Sequence, residues 1–233
     1  MAGMNDKKPR RKARVLLTLL LILVAVPIAG VLLFAVAPPT PTLLMAQQAI
    51  RGEGLDYRWR GLDDISPNLV RAAIAAEDAR FCSHQGFDME AIQKALDHNA
   101  DGGRIRGGST ISQQTAKNVF LWPSRDWVRK GLEAGYTVLI ETVWSKRRIM
   151  EVYLNVVEWA PGVYGAQAAA RHWFDKDAAD LTPREAARLA AILPAPRRYK
   201  AASPGPYVRR RASRIQAAMG TVRQQGLDAC VLG

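Results

Sequence analysis

Val15 to Ala37 is the first patterned stretch of the chain: about 23 uncharged, mostly apolar residues. As a helix it would extend about 35 Å, enough to cross a bilayer. Pro27 and Gly30 within it are tolerated in membrane helices. Pro38-Pro39-Thr40-Pro41 then predicts a stiff linker. Beyond Thr42 the apolar positions recur mostly at helical spacing. Ser66 is a good N-cap and Pro67 suits the first helical position. Leu69, Val70, Ala73, Ile74 and Ala76 then mark an apolar face running up to Glu77. Asp88 can cap a helix to about His98. Asp101 to Gly108 reads as a loop carrying Arg104 and Arg106. Gly107-Gly108 then lead into a helix with Ser109 or Thr110 as N-cap, and Gln113 is placed to close a capping box from Thr110. Asp126 can cap a helix to about Trp144, and Ser145 another through Tyr153. Thr182-Pro183-Arg184-Glu185 is a capping box opening a helix to Leu193, which Pro194 and Pro196 end. The last helix spans about Pro206 to Gln225 and finishes at Gly226. No alternating run is long enough for a strand, so the predicted fold class is all-α.

The 233 residues allow one membrane anchor and one domain with a real core. The boundaries read as a basic tail over 1–14, a transmembrane helix over 15–37, a linker over 38–54 and a domain over 55–233. Net charge is +12. Lys7, Lys8, Arg10, Arg11, Lys12 and Arg14 against Asp6 place +5 of it before the apolar run, leaving +7 on the rest. The basic cluster before the run and the large domain after it orient the N-terminus to the cytoplasm. Ala35-Val36-Ala37 resembles a signal cleavage site. The run exceeds a usual signal core of about 7–15 residues, however, and Pro38 follows directly, so a retained anchor is favoured. A basic surface suits nucleic acid, anionic lipid or a phosphorylated substrate. Beside a membrane span, lipid and phosphate fit better than nucleic acid. Cys82 and Cys230 are too few for a disulfide framework or a zinc site. They are far apart in sequence, so two independent thiols are preferred over a disulfide, which stays open. No His/Asp/Glu cluster has metal-site spacing.

Glu77 and Asp78 fall at the end of a mostly apolar helix, where the backbone carries partial negative charge. A carboxylate there holds its proton more readily than a free Glu, whose pKa is about 4.3. A solvated helix end explains these two residues equally well. The glycine turn before Ser109 feeds a helix N-terminus, a ready anion site, with Lys117 two turns inside. It is not a P-loop, because no Gly-Lys-Ser/Thr follows at the required spacing. Arg125, Arg129 and Glu133 share one helix face, with Lys130 beside it; a solvated face with an i, i+4 ion pair accounts for that spacing. His84 reads as satisfying a local hydrogen bond.

Taken together, Glu77-Asp78-x-x-Phe81-x-x-His84-x-Gly86 and Gly107-Gly108-Ser109-Thr110-Ile111-x-Gln113-Gln114-x-x-Lys117-Asn118 resemble the peptidoglycan glycosyltransferases of glycosyltransferase family 51. Arg129-Lys130-Gly131-Leu132-Glu133, Lys146 to Asn155 and Gly162 to Ala170 agree in order, so the resemblance covers roughly residues 55–200. The chain looks like the monofunctional biosynthetic type. It has no Ser-x-x-Lys and no Lys-Thr-Gly, which excludes a penicillin-binding transpeptidase. Met150 stands where Leu is usual and Ala160 where Gly is usual; the latter is expected to constrain its turn slightly.

The resemblance implies a lysozyme-like helical lobe with a smaller lobe near the membrane. It implies polymerisation of lipid II with loss of a polyprenyl diphosphate, needing no resident cofactor, though a divalent cation at the diphosphate is allowed. Glu77 would be the general base, and Glu133 would orient the basic groups and the donor diphosphate. Lys117, Arg125, Arg129, Lys130 and Lys146 would contact donor or diphosphate. Ser109, Gln113, Gln114 and Asn118 would bind sugar or phosphate oxygens, with helix capping and core hydrogen bonding as their alternative. Asp78, Phe81, His84, Glu151 and Asn155 would hold the architecture. The implied partners are lipid II, the growing glycan strand, the membrane and cell-wall synthesis proteins. The implied location is the cytoplasmic (inner) membrane with the domain on its outer face. A lysozyme-like lytic enzyme, which also uses two carboxyls, and a membrane-anchored scaffold are the competing readings.

Overall fold

A computed structural model describes residues 7–100, 108–124 and 126–233. Arg104, Arg106, Gly107 and Arg125 lie outside the described residues. The helices are α1 (Lys7–Val36), α2 (Leu43–Ile50), α3 (Pro67–Glu77), α4 (Met89–Ala100), α5 (Ile111–Phe120) and α6 (Trp127–Val143). They continue with α7 (Lys146–Val156), α8 (Ala166–Phe174), α9 (Pro183–Ile192), α10 (Pro206–Gln224) and α11 (Ala229–Leu232). Three short strands are β1 (Asp56–Tyr57), β2 (Glu158–Ala160) and β3 (Val163–Tyr164).

The chain divides into two units, residues 1–37 and 38–233. The first is α1. Within it Arg14–Val36 is long and apolar enough to cross a bilayer by length and composition, with a mean hydropathy of 3.0. Its helix begins at Lys7, so helical backbone extends into the basic stretch expected to precede it.

The second unit is mostly helical, and its helix starts follow their caps. Ser66, Thr110, Asp126, Ser145 and Thr182 each accept a backbone N–H from the first turn that follows. Thr110 and Thr182 both close full capping boxes, so the α5 cap is Thr110 and not Ser109. Helices α3, α9 and α10 pack on one another, and α5 packs on α6 and α7. The core is built from residues such as Leu69, Ile74, Ile111, Ile149, Tyr153 and Leu189.

Four features depart from the sequence reading. The expected linker over 38–54 contains α2, capped by Thr42 and burying Met45 and Gln48. The all-α pattern carries a small sheet in the order β1-β3-β2, with β1 parallel and β2 antiparallel to β3. Strands of two or three residues are too short for alternation to register. Ala160 is buried in β2, and Asp175 is the only non-glycine residue with positive φ among those described. Alanine at 160 therefore needs no left-handed backbone, although the β2–β3 register is irregular between Glu158 and Ala160. Finally, Cys82 and Cys230 are disulfide-bonded, with Cα atoms 5.6 Å apart. Separation along the chain was the ground for expecting free thiols. The fold removes it by turning the end of the chain back: Arg71 Nε donates to Asp228 (2.7 Å), Arg147 Nη1 donates to the Val231 carbonyl (2.9 Å), and α11 packs on α7.

Candidate active site

Helix α3 ends at Glu77, and Asp78 is its C-cap. The two acids have separate fates. Asp78 is buried; one carboxylate oxygen accepts from the Ile111 N–H (3.0 Å) and the other meets His84 Nε2 (2.9 Å). His84 Nδ1 accepts from the Gly86 N–H (3.1 Å), so Nε2 is the nitrogen that donates to Asp78. Gly86 has a φ of +87°, and a Cβ there would stand 2.6 Å from Thr137 Cγ2, so glycine is required. Its carbonyl accepts from Thr110 Oγ1 (2.6 Å). Asp78, His84 and Gly86 thus fasten the end of α3 to the start of α5. The α5 N-terminus, expected as an anion site, is occupied by the chain's own groups: Asp78 on the Ile111 N–H and Thr110 Oγ1 on the Gln113 N–H.

Glu77 faces the other way. Its Oε2 accepts from Gln114 Nε2 (3.1 Å) and its Oε1 from Arg211 Nη2 (3.2 Å). Burial pushes its carboxyl above the ordinary range. The Gln114 hydrogen bond and the Arg211 and Lys117 charges oppose that shift, while Asp78 adds to it.

Beside Gln114 opens a cleft of about 390 Å³, lined by Gln114, Lys117, Asn118 and Arg129 together with Trp122 and Glu158. Lys117 has its pKa lowered, chiefly by burial and then by the neighbouring Arg129 and Lys130 cations; Glu133 and Glu77 pull it back up. Glu133, 3% exposed, accepts from Arg129 Nη1 (2.8 Å) and pairs with Lys130. The ion pair read as a solvated face is therefore a buried one. Arg129 Nε is buried with no hydrogen-bond partner.

The sequence model of the transglycosylase family matches residues 45–220, most of the chain. The chain belongs to the transglycosylase family. A biosynthetic peptidoglycan transglycosylase of Caulobacter vibrioides is 59% identical over 216 residues, 93% of this chain and 94% of that relative. The Rhodospirillum centenum protein of the same name is 54% identical over 224 residues, covering 96% and 95%. One from Xanthomonas campestris pv. campestris is 52% identical over 227 residues, covering 92% of each.

Within this transglycosylase, Glu77, Gln114, Lys117, Asn118, Arg129, Lys130 and Glu133 come together through the contacts and the cleft above. Ser109, Gln113 and Lys130 line a separate groove of about 440 Å³ with Ile92, Leu96 and Trp127. The Gln113 side chain is engaged as a cap, its Oε1 accepting from the Thr110 N–H (3.0 Å). Lys146 Nζ donates to Glu141 (2.8 Å) and lies 4.6 Å from the centre of the buried Phe81 ring. Asn155 brackets Arg60, accepting from its N–H (2.9 Å) and donating to its carbonyl (2.8 Å), while Glu151 accepts from the Leu62 N–H (3.1 Å). Gly165 stands where a Cβ would come 2.7 Å from the Asn155 carbonyl. No group of three or more His, Cys, Asp or Glu among the described residues is arranged to hold a metal ion.

Arg211 is the residue that sequence reasoning missed. Nothing local separates it from Arg209 and Arg210; only the packing of α10 on α3 turns it toward Glu77. Because its charge favours the Glu77 carboxylate, Arg211→Gln is expected to raise the Glu77 pKa further and move the acid limb of the activity profile to higher pH. Arg211→Lys is expected to move it less. An acid limb unchanged in Arg211→Gln shows that the two groups are not electrostatically coupled in function.

Proposed function

We propose that the chain is a peptidoglycan glycosyltransferase that polymerises lipid II, with Glu77 as general base. The observation that carries this reading is a partly desolvated carboxyl, held by Gln114, beside a cleft lined by Lys117 and Arg129. In the proposed step the acceptor's 4-hydroxyl gives its proton to Glu77 as its oxygen bonds to the donor's anomeric carbon. The bond to the polyprenyl diphosphate breaks, and its electron pair leaves with the diphosphate. Lys117 and Arg129 stabilise the charge that develops there. Attack opposite the leaving group inverts the centre, so an α-linked donor gives a β-1,4 glycan. Glu133 orients Arg129 and Lys130. Asn118, Ser109, Lys146 and Arg125 complete the proposed substrate contacts, while Gln113 closes the cap of α5. No resident cofactor enters the step; a divalent ion would arrive on the substrate diphosphate.

Two carboxyls alone would also suit a glycosidase. The cations favour transfer, because a hydrolase has no diphosphate to hold. Incubation of the solubilised chain with purified peptidoglycan is expected to release no soluble muropeptides, whereas lipid II is expected to lose one polyprenyl diphosphate per bond formed. The opposite pair of results would make the protein lytic.

The apolar helix and the basic cluster before it further support an anchor in the cytoplasmic membrane with the domain on its outer face. A reporter that fluoresces only in the cytoplasm, fused after Gly233, is expected to stay dark. A bright fusion would reverse the orientation and separate the domain from the wall.

A further inference from the structure

Away from the cleft, α9 and α10 border a small open groove of about 120 Å³ on the surface, where Arg184, Arg209, Ser213 and Gln216 are exposed. Arg184 and Arg188, one turn apart on α9, face Arg209, Ser213 and Gln216 on α10, and Ala212 completes the lining. None of these residues lines the catalytic cleft. The charge here is unbalanced. No acid lines the groove, α10 contains none, and neither Arg184 nor Arg188 has an acidic partner among the described residues. Glu185, the one acid of α9, is engaged with the Thr182 N–H and with Lys176. Arg209 uses Nη1 on the Pro204 carbonyl (2.8 Å), and Ser213 Oγ donates to the Arg209 carbonyl (3.1 Å). The other guanidinium donors face solvent and are free to meet an incoming anion.

Three guanidiniums lining one groove with no acid beside them raise the local positive potential and favour an anion there. Arginine forks match the paired oxygens of a phosphate group better than any other common anion-binding side chain does. We propose that the groove between α9 and α10 is a second anion site, one that binds a single phosphate group through Arg184, Arg188 and Arg209. Free phosphate and the phosphate of a phospholipid headgroup share this chemistry.

The test uses the full chain in detergent with Lys117→Ala and Arg129→Ala present, so that the catalytic cleft contributes little phosphate binding. Inorganic phosphate and dicaproyl phosphatidylglycerol below its micelle concentration are titrated separately by calorimetry. Saturable binding of at least one is expected, weakened at least about tenfold when Arg184→Gln and Arg188→Gln are added. Tighter binding of phosphate identifies a free ion, and tighter binding of the lipid identifies a headgroup. Arg184→Lys with Arg188→Lys, which keeps the charge and loses the forks, is expected to fall between and carries the test if the Gln pair does not fold. Alone, Arg184→Gln with Arg188→Gln is expected to leave lipid II polymerisation within about twofold. The proposal is overturned if neither probe saturates, or if binding is equal with and without the arginines.

Discussion

Glu77→Gln is expected to reduce lipid II polymerisation by about 10²–10⁴-fold while the protein stays folded. The amide is nearly isosteric with the carboxylic acid but cannot take up the proton of the attacking hydroxyl. Structurally the change is mild. Glu77 is only partly buried, and its amide oxygen can still accept from Gln114 or Arg211. The fastening between α3 and α5 runs through Asp78, which the substitution does not touch. Polymerisation by initial rates, beside circular dichroism, checks both halves. Turnover like that of the unaltered protein would remove Glu77 from the base role.

The second large effect is expected at Arg129. Arg129→Ala should lower polymerisation at least about tenfold, because a fixed cation stabilising a developing charge contributes a few kcal/mol. The substitution also takes one of two cations from the buried Glu133, leaving Lys130. Stability is therefore measured beside activity. Arg129→Lys keeps the charge but loses the fork, and partial recovery is expected. Arg223→Ala, on the exposed last turn of α10, should change little. Binding of a phosphoglycolipid donor mimic separates the roles. Normal polymerisation and normal mimic binding by Arg129→Ala would mean that the diphosphate is held elsewhere.

The elements of this fold that were legible in sequence are those with local causes. Ser66-Pro67, Thr110 with Gln113, and Thr182 with Glu185 announced helix starts because a cap acts within one turn. Glu77, Gln114 and Lys117 were legible through their motifs. What escaped depends on contacts between distant segments. Arg211 resembles its neighbours until α10 docks on α3. Cys82 and Cys230 are brought together by the return of the chain end. β1 to β3 are too short to show a period and exist only by pairing. The Asp78 carboxylate on the Ile111 N–H explains why the α5 N-terminus, an anion site by its sequence, is already filled.

The most direct measurement is incubation of the detergent-solubilised full chain with labelled lipid II, followed by separation of products by size and digestion with a muramidase. Polymerisation of lipid II through Glu77 predicts a ladder of glycan polymer that the muramidase cleaves, as β-1,4 linkage requires, and its loss in Glu77→Gln. Lipid II that stays unpolymerised with the unaltered chain, or polymer formed equally well by Glu77→Gln, would contradict it.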